Sequence, residues 1–169
     1  MPNCLPFKYG WCGTSDAHCG SPPPTSGSTY TGAGSGTFYY DVTKRSCFGP
    51  PYAENKGYPT CTSHDPKYWK TLEAYGSNRI VAIDNRLLST EEGRKKYCGK
   101  QIRVYKNGVE VSGGPFVVFD GCEACASKSL IDFSLSALDA IDNGQACNDG
   151  VVPGISWSVT NTQVIPFVA

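Results

Sequence analysis

Three aspartates, Asp41, Asp120 and Asp132, stand in or directly after apolar or aromatic runs and could do acid–base chemistry. Two carboxyl groups held about 6.5–9.5 Å apart, with a water between them, can hydrolyse a glycosidic bond with inversion. The acid of such a pair needs a raised pKa, which an apolar setting provides. Each aspartate also has a structural interpretation: Asp41 and Asp120 as turn formers, Asp132 as an acid beside a helix N-terminus.

Asp132 lies in residues 130–134 (LIDFS), where apolar and polar side chains alternate. Because successive side chains of a strand point to opposite faces, Ile131 and Phe133 share one face and Asp132 occupies the other. If the apolar pair enters the core, Asp132 projects outwards. Ser134 can then cap a helix that follows directly.

Asp120 ends the apolar run 116–119 and is followed by Gly121 and Cys122. Turn chemistry explains an aspartate at this position. The ends of strands are also where barrels usually place their sites, and a disulfide at Cys122 would hold this corner rigid. Asp120 is therefore a second candidate.

Aromatic side chains accompany the acids in one place and form a separate cluster in another. Tyr39 and Tyr40 precede Asp41, and such rings can hold the apolar faces of neutral sugars, although cross-strand packing also explains them. The first nineteen residues cannot form a core, so their aromatic side chains should be exposed and available for binding. These side chains are Tyr9, Trp11 and His18.

The nine cysteines indicate an extracellular, disulfide-bonded protein. Three lie near the N-terminus, and six are expected to form three bridges whose pairing the sequence leaves open: Cys47, Cys61, Cys98, Cys122, Cys125 and Cys147. The CxxC motif formed by Cys122 and Cys125 could also be part of a zinc site. No second CxxC exists, however, and only two histidines could supply further ligands. We expect neither metal nor cofactor. The start of the chain lacks leader regions, which indicates a mature fragment with Met1 added.

The net charge of the chain limits the classes of binding partner that can be expected. Fifteen basic and fifteen acidic residues cancel, which gives no reason to expect nucleic acid or an anionic membrane. No apolar run is long enough to cross a bilayer. A neutral polymer such as a polysaccharide remains as the expected partner. We expect the protein to bind it as a monomer.

Composition divides the chain into a cysteine-rich head (1–19), a Pro/Ser/Gly linker (20–36) and a body (37–169). The body reads mainly as short strands, with an Asn107-Gly108 hairpin turn and a final strand over 163–167. A capping box from Ser89 to Glu92 predicts one short helix, and Ser134 begins another. Many short strands with few helices predict a small closed β-barrel.

The order of several motifs over about residues 36–168 resembles expansins, with single-domain, loosenin-like fungal members the most similar. These motifs are TFYYD from Thr37 to Asp41, YCGK from Tyr97 to Lys100, VFDGCEACA from Val118 to Ala126, and IDFS from Ile131 to Ser134. The resemblance implies a six-stranded double-psi β-barrel. It also implies that Asp132 is the key carboxylate and that Thr37, Tyr39 and Asp120 line a groove.

This resemblance implies a secreted protein that binds cellulose, β-glucan or chitin and loosens the wall without net hydrolysis. Family 45 endoglucanases share the barrel, and by that resemblance Asp132 would be an acid and Asp41 a base. The doubled cysteines that follow the base in those enzymes are absent, since Val42 and Thr43 stand there. Cys122 also replaces an aromatic sugar contact of some bacterial expansins.

Two further expectations complete the picture. The stretch from Tyr9 to Gly20 resembles the second half of a hevein-type chitin-binding module, which implies sugar contacts by Tyr9, Trp11 and His18. Other barrels of this superfamily bind proteases or secreted effectors. The long loop 50–70, pinned by Cys61, would suit that role.

Overall fold

The computed structural model describes residues 27–62 and 65–167. The predicted head, including Tyr9, Trp11 and His18, lies outside these residues, as do the first seven residues of the predicted linker. His64 also lies outside them.

Seven strands carry the fold: β1 Tyr30–Tyr40, β2 Ile80–Asp84, β3 Lys100–Lys106, β4 Val109–Glu110, β5 Phe116–Cys122, β6 Leu130–Ser134 and β7 Val152–Gln163. They are hydrogen-bonded in the order β4-β3-β5-β2-β6-β1-β7, and β3 also pairs with β7. This last pairing closes six strands into a ring and leaves the two-residue β4 outside it. The predicted closed barrel is confirmed.

The ring mixes strand directions. β1 runs parallel to β6, and β2 runs parallel to β5. The remaining neighbours within the ring are antiparallel. Parallel neighbours need crossover connections, which here carry the short helices. The result is the mainly β, six-stranded double-psi barrel expected from the sequence.

Five short α-helices occupy the connections: α1 Leu72–Tyr75, α2 Glu91–Tyr97, α3 Cys125–Lys128, α4 Leu135–Ile141 and α5 Ala146–Asp149. Three 3₁₀-helices accompany them: Ala53–Lys56, Pro66–Tyr68 and Asn85–Leu88. None of the described helices has the length and apolar character needed to cross a membrane.

The helix caps follow the sequence at α4 and depart from it at α2. The Ser134 hydroxyl accepts the Ala137 N–H at 3.1 Å, as predicted. At α2 the cap is Thr90, which accepts the Gly93 N–H at 3.1 Å. The predicted cap, Ser89, instead donates to the Arg86 carbonyl and ends the preceding 3₁₀-helix, so the capping box is wrong by one residue.

The predicted linker ends too late, because β1 begins at Tyr30 and takes in its last seven residues. Glycine here serves close packing. A Cβ at Gly32 would lie 2.3 Å from the Trp157 ring, and one at Gly34 would lie 1.8 Å from the Ser129 carbonyl oxygen. The small residues that suggested a flexible tether are those that let β1 pass between its neighbours.

The predicted final strand over 163–167 is also wrong. β7 runs unbroken to Gln163, and the chain then turns. The N–H groups of Val164 and Ile165 both point at the Gly99 carbonyl, at 2.8 and 3.2 Å. Pro166 has no N–H with which to extend a ladder.

The core consists of side chains from several strands of the barrel and from α4. Ile131 and Phe133 are fully buried, as the alternation in β6 predicts. They pack in one continuous cluster with Phe119, Leu138 and Val159.

Three disulfides brace the barrel: Cys47–Cys147, Cys61–Cys98 and Cys122–Cys125. All six predicted body cysteines are therefore used. The first bridge spans 100 residues of sequence, and the last spans only three. Because Cys122 and Cys125 are bonded to each other, neither offers the thiolate that a zinc site requires.

Candidate functional site

A row of four residues crosses four adjacent strands of the barrel. Asp120 on β5 pairs with Ala82 on β2, Ala82 pairs with Asp132 on β6, and Asp132 pairs with Thr37 on β1. Neighbouring strands lie about 4.8 Å apart, so the row is about 14 Å long. We call it the acid row. It places three predicted residues side by side, with the small Ala82 between the two acids.

A bulge aims Asp120 into the row. On the β2–β5 ladder, Val81 pairs with Val118 and Ala82 pairs with Asp120, so Phe119 has no partner on β2. Bulges of this kind redirect a side chain and are common beside functional sites. Here Phe119 is buried in the core and Asp120 is half-buried at the surface.

Asp132 is the acid whose protonation is most altered. It is half-buried, and the Thr37 hydroxyl donates a hydrogen bond to its Oδ1. Burial raises the pKa of Asp132 to about 6, and the nearby charge of Asp120 contributes in the same direction. A carboxyl group with this pKa exchanges its proton in mildly acidic solution, where ordinary aspartates remain ionised.

The apolar setting of Asp132 comes from a direction that the sequence did not indicate. The sulfur atoms of Cys122 and Cys125 and a carboxylate oxygen of Asp132 all lie within 4.8 Å of one another. These cysteines form a small buried cluster with Ala82, against which Tyr39 and Leu130 pack. The disulfide is therefore one wall of the site, and its sulfur atoms exclude water from the acid.

Asp120 is held rigidly as a hydrogen-bond acceptor. Its Oδ1 accepts the Thr60 N–H at 2.8 Å, the Thr60 hydroxyl at 3.0 Å and the Gly121 N–H at 2.8 Å. Its Oδ2 accepts the Tyr39 hydroxyl at 3.0 Å. Three of these donors converge on Oδ1, and one reaches Oδ2. The four hydrogen bonds hold the Asp120 carboxylate in one orientation beside the acid row.

The two neighbouring tyrosines play different parts. Tyr39 is half-buried beside the acid row, where burial first, and then the charge of Asp120, raise its pKa well above that of an ordinary phenol. Tyr40 is fully buried. Its hydroxyl accepts the Ile80 N–H at 3.1 Å and lies 2.9 Å from the Ser77 carbonyl oxygen, to which it can donate. This corrects the prediction that Tyr40 contacts sugar, because its ring presents no face to a ligand.

Asp41 is sealed inside the protein, with no exposed surface. Its Oδ2 accepts the Ser136 N–H at 2.7 Å, and its Oδ1 accepts the N–H of Thr43 at 2.9 Å and the Thr43 hydroxyl. Burial alone would raise the pKa of Asp41, but the hydrogen bonds from Ser136 and Thr43 outweigh it, and the pKa is lowered. The acid at the N-terminus of α4 is therefore Asp41, whereas the sequence suggested Asp132 for that role.

Asp41 also lies far along the strand from the acid row. It is four residues beyond Thr37, the partner of Asp132, which corresponds to roughly 13 Å of extended chain. The two carboxyl groups thus occupy different parts of the fold. Asp132 faces the row, and Asp41 faces the first turn of α4.

Sequence reasoning missed Thr60, Ala82 and the role of the Cys122–Cys125 bridge. Thr60 belongs to the loop that was considered as a protein-binding surface, and its two bonds to Asp120 join positions 60 residues apart. Nothing in the local sequence marks it.

Searches of family models and of curated proteins give no match. Among solved structures, the chain is similar to the Streptomyces papain inhibitor, with 22% identity over 79% of this chain and 97% of that one, at a TM-score of 0.49. It is also similar to an expansin of Clavibacter michiganensis, solved with cellohexaose and without ligand. That likeness has 20% identity over 81% of this chain, with a TM-score of 0.49. The match spans about half, 54%, of the expansin.

Proposed function

We propose that the barrel binds a neutral cell-wall polysaccharide along the acid row and loosens its packing without net hydrolysis. The observation that carries this proposal is the state of Asp132. It is a carboxyl group with a pKa of about 6 that accepts a hydrogen bond from the Thr37 hydroxyl. At mildly acidic pH it can donate a proton or accept one within a hydrogen bond, which suits contact with sugar hydroxyls and glycosidic oxygens.

The shape of the acid row supports a chain-like, uncharged ligand. Ala82, at the centre of the row, is buried under the Cys122–Cys125 cluster, and Tyr39 and Thr37 supply an aromatic ring and a hydroxyl beside the two acids. Hydroxyl and carboxyl groups recognise sugar hydroxyls, while an aromatic ring packs on the apolar face of a sugar. Cellulose, β-glucan and chitin all fit this description.

Among the described residues, neither Asp41 nor Asp120 suits the role of the base in hydrolysis. An inverting hydrolase needs a second carboxylate that is open to water and about 6.5–9.5 Å from the acid. Asp41 is buried and bonded to the backbone, and Asp120 already accepts four hydrogen bonds. We therefore propose that Asp132 acts without a second catalytic carboxylate. The nearby charge of Asp120 favours the protonated form of Asp132.

The three disulfides are consistent with an extracellular location, which we propose for the protein. Chitin binding by Tyr9, Trp11 and His18 stays a prediction from the sequence. We propose that these residues add affinity rather than chemistry.

Pull-down on cellulose, β-glucan and chitin tests the proposal, with reducing-sugar release measured on the same polymers. We expect retention on at least one polymer without sugar release. Asp132→Asn should reduce retention, whereas Asp149→Asn, at an exposed position on α5, should not.

Two outcomes would replace the proposal. Retention on none of the polymers would favour a barrel that binds proteases or effectors. Sugar release that is abolished by both Asp41→Asn and Asp132→Asn would establish a hydrolase.

A further inference from the structure

Two exposed aromatic side chains stand before and after Thr60, the residue that donates two hydrogen bonds to Asp120 of the acid row. Tyr58 and Trp69 are exposed to 48% and 50%, and their rings meet with centroids 5.1 Å apart at 31°. Side chains of this size rarely stand exposed together unless they bind something. Two adjoining rings at a small angle form a surface on which a sugar ring can pack.

Next to these rings is a cavity of about 340 Å³, within the size range of small-ligand sites. We call it the loop pocket. Its walls include four aromatic residues and two lysines: Lys67, Tyr68, Trp69, Lys70, Tyr75 and Phe119. No acidic residue is among the residues that line it.

The two lysines hold their charges against aromatic rings. The Lys67 Nζ lies 5.4 Å from the centre of the Tyr68 ring, and the Lys70 Nζ lies 4.6 Å from that of Tyr75. Among the described residues, neither lysine forms an ion pair. The nearby Glu73 pairs with Lys44 instead, at 3.6 Å. The loop pocket therefore combines ring faces with two positive charges that no described carboxylate neutralises.

Two successive residues connect the loop pocket to the acid row through the backbone. The Thr60 N–H donates to the carboxylate of Asp120 in the row, at 2.8 Å. The next residue, Cys61, lines the pocket and donates its N–H to the Phe119 carbonyl at 3.3 Å. The backbone of these two residues therefore joins an acid of the row to a wall of the loop pocket.

We propose that the loop pocket binds a uronate residue of an acidic polysaccharide. The sugar ring packs on the Trp69 and Tyr58 rings, and its carboxylate pairs with Lys67 and Lys70 in charge-assisted hydrogen bonds. The choice of a sugar over an acidic peptide rests on the proposed function of the adjoining row. The requirement for a negative charge rests on the loop pocket alone.

The test compares three oligosaccharides of similar length by titration calorimetry, with Trp69 fluorescence as a second signal. Oligogalacturonate carries the carboxylates, its fully methyl-esterified form has the same rings without charge, and a cello-oligosaccharide probes the acid row. Trp157 is 3% exposed, so quenching of the described tryptophans should report on Trp69. We expect the acid to bind about fivefold or more tightly than its ester, with the difference shrinking in high salt.

Lys67→Gln with Lys70→Gln should remove that preference and leave cello-oligosaccharide binding unchanged. Lys96→Gln is the matched control, because its Nζ also lies over a tyrosine ring, that of Tyr97, at 5.0 Å and outside the pocket. Trp69→Ala should weaken both the acid and the ester. Equal binding of acid and ester, or an unchanged preference in the double lysine variant, would overturn the inference.

Two further results would distinguish a failure of this proposal from a failure of the proposed function. The protein could bind oligogalacturonate, keep that binding in Asp132→Asn, and bind no neutral glucan. That result would support the proposal for the loop pocket and contradict the function proposed for the acid row. Glucan binding without any oligogalacturonate binding would do the reverse. Equal binding of poly-glutamate and oligogalacturonate would exclude a sugar-specific pocket.

Discussion

The carboxylate of Asp41 accepts the backbone N–H of Ser136 at 2.7 Å, across 95 residues of sequence. This bond joins the end of β1 to the first turn of α4, which begins three residues after Asp132. A negative charge at this position also interacts favourably with the helix N-terminus. Asp41 therefore orients the segment that carries Asp132, a structural role, whereas the functional role is the one proposed for Asp132.

Asp41→Asn should lower the free energy of unfolding by about 2–3 kcal/mol at pH 7. The amide would place an N–H group among donors from Ser136 and Thr43, and the charge-assisted bonds would be lost. Urea denaturation measures the change, with Asp149→Asn as a surface control expected to stay within about 0.5 kcal/mol. Because the pKa of Asp41 is lowered, its contribution should be present at neutral pH and disappear as the pH falls through that lowered value. A folded Asp41→Asn variant of normal stability that binds no polymer would contradict the structural role.

Asp132 should influence stability with the opposite sign. Its pKa is raised from about 3.8 to about 6, so the folded state holds the proton more tightly than the unfolded state. Its contribution is fully present below about pH 4 and is lost as the pH rises through 6. Relative to Asp132→Asn, the wild type should lose about 2–3 kcal/mol of unfolding free energy between pH 4 and pH 7. Parallel stability curves for the two proteins over this range would show that the pKa is not raised.

The two tyrosines of the TFYYD motif should respond differently to removal of their hydroxyl groups. Tyr40→Phe leaves the buried N–H of Ile80 without its acceptor and should cost about 1–3 kcal/mol of stability, with polymer binding unchanged. Tyr39→Phe removes one of four donors to Asp120 and should weaken binding with little change in stability. Each variant is the other's control, and thermal unfolding with pull-down distinguishes them. A binding defect in Tyr40→Phe alone would reverse the assignment.

Replacing both Cys122 and Cys125 by serine should lower the pKa of Asp132 towards its ordinary value. The sulfur atoms lie within 4.8 Å of the carboxylate, and hydroxyl groups in their place would donate hydrogen bonds and admit water. A carbon-13 NMR titration of the Asp132 carboxyl group measures this directly. The matched change at Cys47 and Cys147 should leave the midpoint near 6, although it opens a 100-residue loop and should cost about 4–5 kcal/mol of stability. An unchanged midpoint in the first variant would assign the raised pKa to Ala82 and Leu130 instead.

Local patterns predicted the parts of the site that depend on local structure. The alternation of residues 130–134 correctly placed Ile131 and Phe133 inside and Asp132 outside, and the serine that follows was correctly identified as a cap. These features depend on the side chains of one strand and one turn. The six body cysteines and the closed barrel were likewise predictable from composition and strand spacing.

The remaining features depend on contacts between distant segments. The acid row exists because β5, β2, β6 and β1 are neighbours in the ring, an order that the sequence does not follow. Asp41 has turn-like sequence surroundings, yet five strands separate it in the sequence from its partner Ser136. The glycines of β1 were interpreted as part of a flexible linker. The groups that require them, the Trp157 ring and the Ser129 carbonyl, are distant in the sequence.

The pairing of the first and last strands of the ring has a mechanical consequence. Tyr30 lies opposite Val159, and β1 runs from there to Thr37 in the acid row, a distance of roughly 23 Å. Along much of this length β1 is hydrogen-bonded to β7 on one side and, nearer Thr37, to β6 on the other. Tension applied to the chain ahead of Tyr30, while a polymer holds the row, would pull along the strand axis. Many bonds would then share the load in shear, so this end of the barrel would resist being pulled apart along the strand.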